Sequence, residues 1–515
     1  MKEYSKLLWS MTMLLSVACG VGAQDATSNS TPFQSLGDGL SDRVGTEVLV
    51  SGPSPFPAGC FAGPSSPSAL LRNEEVESQV AVDPSDPAHL VGIWRQDRWV
   101  TGGSSGNVAA VSRNGGETWT RSFAPLTYCS GGTTANGGRF ERSSDPSVSI
   151  SPNGVAHQIG FVVNLEKFET AMVTSRSANG GTTWSNLTVL RDDVSLDSSI
   201  VNDRPSITAD PTDSRFVYAI WAQYDSLSTF HTTVRFSRST DNGRTWTPDR
   251  TILNPAGAGE STNHQILVLK NGSLLDTSVI GAPDGSYRFA TMRSQDHGTT
   301  WGPLNSIDDI RYLPTVTPQT QHPVRAGDYS PSVAVDRKSG RVYVVFEDSR
   351  FSGGKFNDVA LITSDDGITW TKAVRINNQM PRAGVFTPTV SANSAGGVAI
   401  LYYDFNSYSP NSPPATLTSS MTLVESQICA FGDCRIPSKW GSAFALTPPF
   451  DLAYNTDATE PYFVGDYVGM VGAPNKNQAG PYFLSFLPRT NASTTNRTDI
   501  FSRIFGAGLA PLQTP

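Results

Sequence analysis

Arginine and aspartate residues that could bind an anion recur at intervals along this 515-residue chain. Arg98, Arg204 and Arg350 each lie beside or close to an aspartate. A guanidinium group offers a planar fork of donors that fits a carboxylate. We therefore expect these three arginines, with Asp203 and Asp466, to bind an anionic ligand. The alternative is that each arginine only pairs with its neighbouring carboxylate at the surface.

Five further residues could supply acid–base or nucleophilic chemistry. They are Asp97, His264, Tyr329, Glu347 and Tyr467. His264 is one of six histidines, and it could be a general base with Tyr329 or Tyr467 nearby. Its alternative role is that of a hydrogen-bonded structural histidine. Hydrolysis of a sugar linkage needs two carboxyl groups at a set separation, and that separation cannot be inferred from sequence.

A repeated turn must position these residues. The pattern S/T-x-D/N-x-G-x-T-W occurs at 112–119, 177–184, 239–246, 294–301 and 363–370. Its third position is Asn114, Asn179, Asp241, Asp296 and Asp365. An Asp or Asn side chain can bond its own turn, and the glycine supplies a positive φ. We expect a structural hairpin turn with the tryptophan packed over its own hairpin.

A second element, two apolar strands around a short turn, repeats out of phase with the first. Its seven copies begin near Gln79, Ser147, Ser206, Gln265, Ser332, Thr389 and Gly465. Two strands from each element give four per repeat, which predicts an all-β, seven-bladed β-propeller of four-stranded blades. The alternative is a six-bladed propeller with an extra β segment. The candidate residues fall where first strands begin or second strands end, so they share one face.

The chain divides into four segments on this interpretation. Residues 1–23 resemble a secretory signal peptide, with Lys2 and Lys6 before an apolar run and a small-residue cleavage site. Residues 24–71 form a Pro/Ser/Gly-rich lead-in, in which 46–50 could supply a ring-closing strand. The propeller covers 72–505, with an insertion at about 407–461, and 506–515 is a tail.

The five turn copies are Asp-boxes, also called BNR repeats, so the chain resembles the sialidase-like propeller family. The resemblance covers roughly residues 72–505. It implies three arginines that hold a substrate carboxylate, a tyrosine nucleophile activated by a glutamate, and an aspartate acid/base. Arg98 resembles one of these arginines. The segment 99–111, where the family places its aspartate, contains no carboxylate.

The resemblance implies glycan processing. We expect a sialidase-like exo-glycosidase that hydrolyses a terminal anionic sugar, and we favour this glycoside hydrolase over a lyase. One alternative is a lyase that cleaves beside a uronate, for which a His/Tyr pair such as His264 with Tyr329 would serve. The other is a non-catalytic propeller that binds glycans or proteins, which the missing aspartate favours.

Composition sets the expected partners and compartment. A formal charge of −8 argues against nucleic acid, which requires a basic face. The signal segment predicts secretion, and we expect a monomer without membrane association after cleavage. Four cysteines then remain, so Cys429 could pair with Cys434 and leave Cys60 with Cys129. We expect no cofactor and no metal site, although structural calcium is open.

Overall fold

The all-β prediction is confirmed by a computed structural model. It describes residues 44–60, 69–194, 200–225, 231–255, 259–282, 284–318, 320–327, 329–378, 384–405, 420–430, 432–455, 461–472, 482–493 and 496–506. The predicted signal segment 1–23 lies outside these residues, as does the tail after 506. Only 3-10 helices accompany the described strands, namely Tyr128–Ser130, Thr134–Asn136, Pro437–Lys439 and Leu452–Asn455. No helix within these ranges is long and apolar enough to cross a membrane.

Most described strands form consecutive antiparallel groups, and a single Ser104–Ser143 pairing joins the first two groups into one eight-stranded sheet. The first group is β2 (Leu70–Val82), β3 (Leu90–Trp99), β4 (Ser104–Ser112) and β5 (Thr120–Ser122). The second is β6 (Arg142–Ile150), β7 (Ala156–Asn164), β8 (Glu169–Ser177) and β9 (Thr188–Val194). The third is β10 (Ile200–Ala209), β11 (Val217–Asp225), β12 (His231–Ser239) and β13 (Arg250–Leu253). The fourth is β14 (Glu260–Val268), β15 (Leu274–Gly281), β16 (Tyr287–Ser294) and β17 (Asn305–Ile310).

Three more groups follow in the C-terminal half. The fifth is β19 (Ser332–Val335), β20 (Val342–Asp348), β21 (Asp358–Ser364) and β22 (Val374–Arg375). The sixth is β23 (Val385–Ala392), β24 (Val398–Asp404) and β25 (Met421–Cys429), with β26 (Phe444–Ala445) and β27 (Phe450–Asp451) both paired to β25. The seventh is β29 (Gly469–Gly472), β30 (Tyr482–Thr490) and β31 (Thr498–Gly506). A separate parallel pair joins β18 (Val324–Arg325) to β28 (Tyr462–Phe463).

The N-terminal strand completes the seventh group. β1 (Val44–Leu49) pairs antiparallel with β31, so the order is β1-β31-β30-β29. The first strands of successive groups contact each other, and β2 contacts both β6 and β29. Residues from the two ends of the described chain therefore share one sheet.

The repeated turns connect neighbouring groups, because each glycine packs against the preceding group. A Cβ added at Gly116 would lie 2.3 Å from Leu484 in the seventh group, and one at Gly298 would lie 2.4 Å from Phe236 in the third. The tryptophans follow the same rule. Trp119 lies 5.2 Å from the ring of Phe486. Trp119 also donates from Nε1 to Gly116 O of its own turn at 3.1 Å, so it contacts both its own hairpin and the preceding group.

The fifth turn is one residue shorter than the other four. Asp366, not Asp365, accepts from the Thr369 backbone amide at 2.7 Å. Asp365 instead forms an ion pair with Arg341 at 2.5 Å. The assignment of Asp365 to the turn is therefore wrong, because the shortened turn moves the acceptor one position along the chain.

Both disulfide predictions are confirmed, and one of them replaces a missing turn. Cys60 pairs with Cys129, and Cys429 pairs with Cys434. The sixth group lacks the turn motif, and there Cys434 and Trp440 pack in one cluster with Tyr343 of the fifth group. The third strand, β25, lies within the predicted insertion 407–461, of which 407–419 and 456–460 fall outside the described residues.

Adjacent glycines of the first turn test its role between groups. Gly115 and Gly116 both have positive φ, but an added Cβ at Gly115 meets nothing within 4 Å. Gly115→Ala should cost about 1–2 kcal/mol of unfolding free energy from the left-handed backbone alone. Gly116→Ala should cost about 1–3 kcal/mol more, from overpacking against Leu484. Urea unfolding measures both, and equal losses would contradict the interlocking role.

The two disulfides should differ in their effect on stability. The sequence separation is 69 residues for Cys60–Cys129 and 5 for Cys429–Cys434. Loop-closure entropy predicts that Cys129→Ala costs about 4 kcal/mol and Cys434→Ala about 2 kcal/mol. Denaturant unfolding under oxidising conditions checks this order. A greater loss for Cys434→Ala would show that its packing against the fifth group outweighs chain entropy.

Candidate functional site

The first strands share a backbone irregularity that directs side chains toward their neighbours. Pairing shifts register between 76 and 79, 144 and 147, 203 and 206, 262 and 265, and 386 and 389. At these bulges the residues with positive φ are Glu77, Asp145, Arg204, Asn263 and Thr387. β-bulges re-aim side chains and often lie beside functional sites.

A central cluster of charged residues forms where these bulges meet. We define it as Glu77, Arg95, Asp145, Asp203, Arg204, Arg325 and Asp466. Arg95 forms an ion pair with Glu77 at 2.9 Å, and both side chains are buried. Arg325 Nη2 lies 3.9 Å from the same Glu77 carboxylate. Guanidinium groups from two different parts of the chain therefore approach one buried acid.

Asp466 is the second anchor of the cluster. Arg325 donates from Nε to Asp466 Oδ1 at 2.9 Å and from Nη2 to Oδ2 at 2.5 Å. Arg204 Nη2 lies 3.8 Å from Oδ2. Burial alone would raise the pKa of Asp466, but the Arg325 and Arg204 charges lower it to about 2. Asp466 is therefore ionised at neutral pH.

The β18–β28 ladder positions Arg325. Its register sets Arg325 opposite Phe463, and the guanidinium carbon lies 4.4 Å from the centre of that ring. A cation over an aromatic face gains further stabilisation. The Arg325 side chain nevertheless remains 43% exposed, so it can still reach a ligand.

Arg204 is held by neutral groups on one side. Its Nη1 donates to Asn263 Oδ1 at 2.9 Å and to Ser330 Oγ at 3.3 Å. Its side chain is 25% exposed. Because its ion pair with Asp466 spans 3.8 Å, against 2.5 Å for the pair of Arg325 with the same carboxylate, the Arg204 charge is less closely matched than that of Arg325. Arg204 is thus the better placed of the two to accept an added anion.

The remaining acids differ in proton affinity. Burial, reinforced by the Asp203 carboxylate, raises the pKa of Asp145 to about 6. Burial raises the pKa of Glu77 to about 7, against the opposing charge of Arg95. The pKa values of Asp145 and Glu77 are thus raised, whereas that of Asp466 is lowered. Neighbouring carboxyl groups with such different pKa values are typical of sites that need both an acid and a base.

A tyrosine group borders the cluster next to Arg204. The Tyr224 hydroxyl lies 2.8 Å from Thr262 Oγ1 and 3.5 Å from Glu260 Oε1. Burial raises the pKa of Glu260, opposed by the Arg204 charge and by hydrogen bonds from Tyr224 and Tyr329. Burial, with the charge of Glu260, also raises the pKa of Tyr329. Glu260 therefore lies beside two neutral phenols.

The structure brings together five of the residues singled out from sequence. Asp203, Arg204, Tyr329, Asp466 and Tyr467 lie in or beside the cluster. The Tyr467 hydroxyl donates to Pro146 O at 3.5 Å. Burial, with the charges of Glu77 and Asp145, raises the pKa of Tyr467 well above its usual value. Their roles toward a substrate stay predictions.

The two other predicted arginines have carboxylate partners of their own. Arg98 Nε donates to the buried Glu74 at 2.6 Å, although its guanidinium also lies 5.4 Å from the Phe463 ring. Arg350 forms a two-point contact with Asp348, with both distances 2.8 Å. Arg95 and Arg325, rather than Arg98 and Arg350, accompany Arg204 in the cluster.

Three predicted catalytic residues are buried and hydrogen-bonded to other protein groups. His264 contacts Asp276 at 2.8 Å and Ser261 at 2.9 Å. Asp97 accepts from Ser54 Oγ at 2.7 Å, and Glu347 accepts from the Thr387 amide at 2.8 Å.

These placements favour structural roles for the three residues. Each is at most 1% exposed. His264 in particular joins two strands of the fourth group, which favours its structural alternative over that of a general base.

Sequence reasoning did not single out Glu77 or Glu260. Glu77 stands two residues before Gln79, as Asp145 stands two before Ser147 and Arg204 two before Ser206. Aligning the seven repeats at this position would have identified Glu77. No group of three or more His, Cys, Asp or Glu among the described residues is arranged to hold a metal ion.

Comparisons with known proteins show only distant similarity. No protein-family model matches the chain, and no curated protein matches it. Among solved structures it is similar to a Hadza microbial sialidase, at 13% identity over 83% of this chain and 75% of that chain, with a TM-score of 0.44. It is also similar to an α-L-arabinanase of Penicillium chrysogenum, at 11% identity over 89% and 98%, with a TM-score of 0.45.

An ulvan lyase from a new family of polysaccharide lyases shares 10% identity over 85% of this chain and 95% of that chain, with a TM-score of 0.47. These neighbours are glycan-processing enzymes with propeller-like folds. At such scores the similarity carries no argument about activity, and the Asp-box family resemblance stays a prediction.

Removing Arg95 should make stability depend more strongly on pH. The pKa of Glu77 is raised in the folded state, so its proton stabilises the fold at low pH and this contribution is lost as pH rises through about 7. Arg95→Ala leaves the ionised form with only the longer 3.9 Å approach of Arg325, and should cost about 3–5 kcal/mol at pH 8, but less at pH 5.5.

Urea unfolding at both pH values measures this, with Arg215→Ala as the matched control. Arg215 is exposed; it pairs with Asp213, and its guanidinium carbon lies 5.3 Å from the centre of the Phe216 ring. Its removal should change stability by less than about 0.5 kcal/mol at either pH. A loss for Arg95→Ala that is the same at pH 5.5 and pH 8 would contradict the assigned protonation of Glu77.

Proposed function

We propose that this chain is a secreted, closed seven-bladed β-propeller that hydrolyses a terminal anionic sugar from a glycan. The observation that carries the proposal is the convergence of Arg95, Arg204 and Arg325 around Glu77 and Asp466, with Arg204 and Arg325 partly exposed. Secretion rests on the signal-like segment 1–23 and on the two disulfides.

Ring closure in this proposal uses the N-terminal strand. Pairing of β1 with β31 would make the last blade from both ends of the chain, and it would leave no unpaired strand edge between the first and last blades. Contact of β2 with both β6 and β29 supports this arrangement. The bulge residues then surround the axis, where polar groups form a natural ligand site.

Arg204 and Arg325 would bind the acidic group of the sugar. Both guanidinium groups are partly exposed. They could donate charge-assisted hydrogen bonds to the carboxylate of a sugar. Arg95 is only 4% exposed and would act indirectly, through Glu77.

The proposed hydrolysis has two steps, and the protonation of Asp145 suits the first. Asp145, with its raised pKa, would give its proton to the leaving oxygen as the glycosidic bond breaks. The Tyr329 oxygen would bond to the anomeric carbon while Glu260 takes the phenol proton. Water would then break the Tyr329–sugar bond, losing its proton to the Asp145 carboxylate, and Glu260 would return the phenol proton.

The lyase alternative receives less support. It needs a base that reaches the sugar, and His264 is 1% exposed, with both ring nitrogens in contact with protein groups. A site of this kind would still bind a uronate through Arg204 and Arg325. The products therefore distinguish the reactions.

Mass spectrometry of products tests the proposal directly. The protein is incubated with a sialylated glycoprotein and with a uronate-rich polysaccharide, beside Arg204→Ala and the control Arg215→Ala. We expect a released anionic monosaccharide that has gained water, abolished in Arg204→Ala and unchanged in the control. Unsaturated products formed without water would instead establish a lyase, and no product from either substrate would favour a binding protein.

The pH profile should report the Asp145 proton. Since the acid must be protonated and its pKa is about 6, kcat should fall as pH rises above about 6. Asp145→Asn cannot donate or accept this proton, so it should lose about 100- to 10,000-fold in rate and the descending limb with it. If Asp145→Asn kept both the rate and the descending limb of the pH profile, another group would supply the proton.

A further inference from the structure

The fourth group has a glycine, Gly281, at a position where the third group has a tyrosine. Register pairs Glu260 with Gly281, and Gly281 with Tyr287. Counted from the bulges, the third-group counterpart of Gly281 is Tyr224. A glycine therefore stands where the preceding group carries a large phenol beside the central cluster.

Gly281 allows Tyr287 to lean toward Glu260. A Cβ at position 281 would lie 3.1 Å from Tyr287 Cε1 and 3.3 Å from Glu260 Cβ. Both contacts are tighter than ordinary packing, so a side chain here would displace the phenol ring. The place of Tyr287 next to the catalytic candidates thus depends on this glycine.

Tyr287 is one of three tyrosines whose rings lie against each other. Its ring stacks on Tyr329 with centroids 3.9 Å apart, and Tyr312 meets Tyr329 edge-on at 6.4 Å. All three side chains are partly buried. We define these three residues as the tyrosine wall. It begins at the proposed nucleophile and extends outward over the fourth group.

We propose that the tyrosine wall binds a neutral pyranose, the sugar next to the terminal anionic one. Tyrosine offers an apolar face to the C–H surface of a sugar ring and a hydroxyl to its oxygens. The wall begins at Tyr329, beside the site of bond cleavage, so the leaving sugar would meet it first. This inference rests on the proposed function of the central cluster.

Charge favours a neutral occupant over a second anionic one. Glu260 lies at the inner end of the wall, and a negative sugar would be repelled by its ionised form. At the outer strand Asp308 and Asp309 already pair with Arg350 and Arg288. The partly exposed guanidiniums of Arg204 and Arg325 belong instead to the central cluster, where the terminal sugar would bind.

Binding of matched saccharides tests the wall. Isothermal titration in the Asp145→Asn background compares N-acetylneuraminic acid with 3′-sialyllactose, and glucuronic acid with a disaccharide in which glucuronate is linked to galactose. Stacking would remove about 50–60 Å² of apolar surface from water, so the larger member of the recognised pair should bind about tenfold more tightly.

Variants show which residues provide the tenfold gain in affinity for the larger saccharide. Tyr287→Ala and Gly281→Ala should each remove most of the tenfold gain while leaving the affinity for the monosaccharide unchanged. Tyr287→Phe should keep most of it, and Tyr128→Ala, which removes an exposed tyrosine elsewhere, should keep all of it. Thermal unfolding of each variant confirms that it folds.

The outcomes separate this inference from the function on which it rests. A monosaccharide that binds with no gain from its neighbour, or a gain that survives Tyr287→Ala and Gly281→Ala, would overturn the tyrosine wall and leave the proposed function intact. Absence of binding by both anionic monosaccharides and both larger saccharides would overturn the two together.

Discussion

One backbone constraint shapes much of the site, the β-bulge near the start of five of the first strands. It places Glu77, Asp145, Arg204, Asn263 and Thr387 at positive φ. Each non-glycine residue in this conformation costs about 1–2 kcal/mol, so the surrounding packing must impose it. In return, side chains far apart in sequence meet, as Arg204 and Asn263 do. Because the bulge recurs in five first strands, it brings polar side chains from different groups close together.

The packing between neighbouring groups lies partly in the turns. Each turn with a glycine and a tryptophan sits against the preceding group, which fixes the angle between neighbours. Where the sixth group lacks the motif, the Cys429–Cys434 disulfide and Trp440 occupy the same place. The turns thus hold the groups together, while the bulges carry the polar residues that need to meet.

Sequence predicted the parts that depend on local chemistry. The turn repeats indicated an all-β chain, and cysteine spacing indicated both disulfides. Long-range register could not be inferred in the same way. Arg95 and Arg98 are three residues apart, yet Arg95 pairs with Glu77 and Arg98 with Glu74, because β2 changes register twice between 71 and 79. Arg325 depends on a parallel pair between two distant loops, which no local pattern indicates.

We propose that Arg204 and Arg325 together hold the acidic group of a terminal sugar. A crystal structure of the Asp145→Asn protein with bound 3′-sialyllactose, or with the glucuronate disaccharide, tests it most directly. The predicted result is a sugar carboxylate within hydrogen-bonding distance of both guanidinium groups, with the anomeric carbon facing Tyr329. A sugar bound elsewhere, or bound at the centre with its carboxylate turned away from both arginines, would contradict the claim.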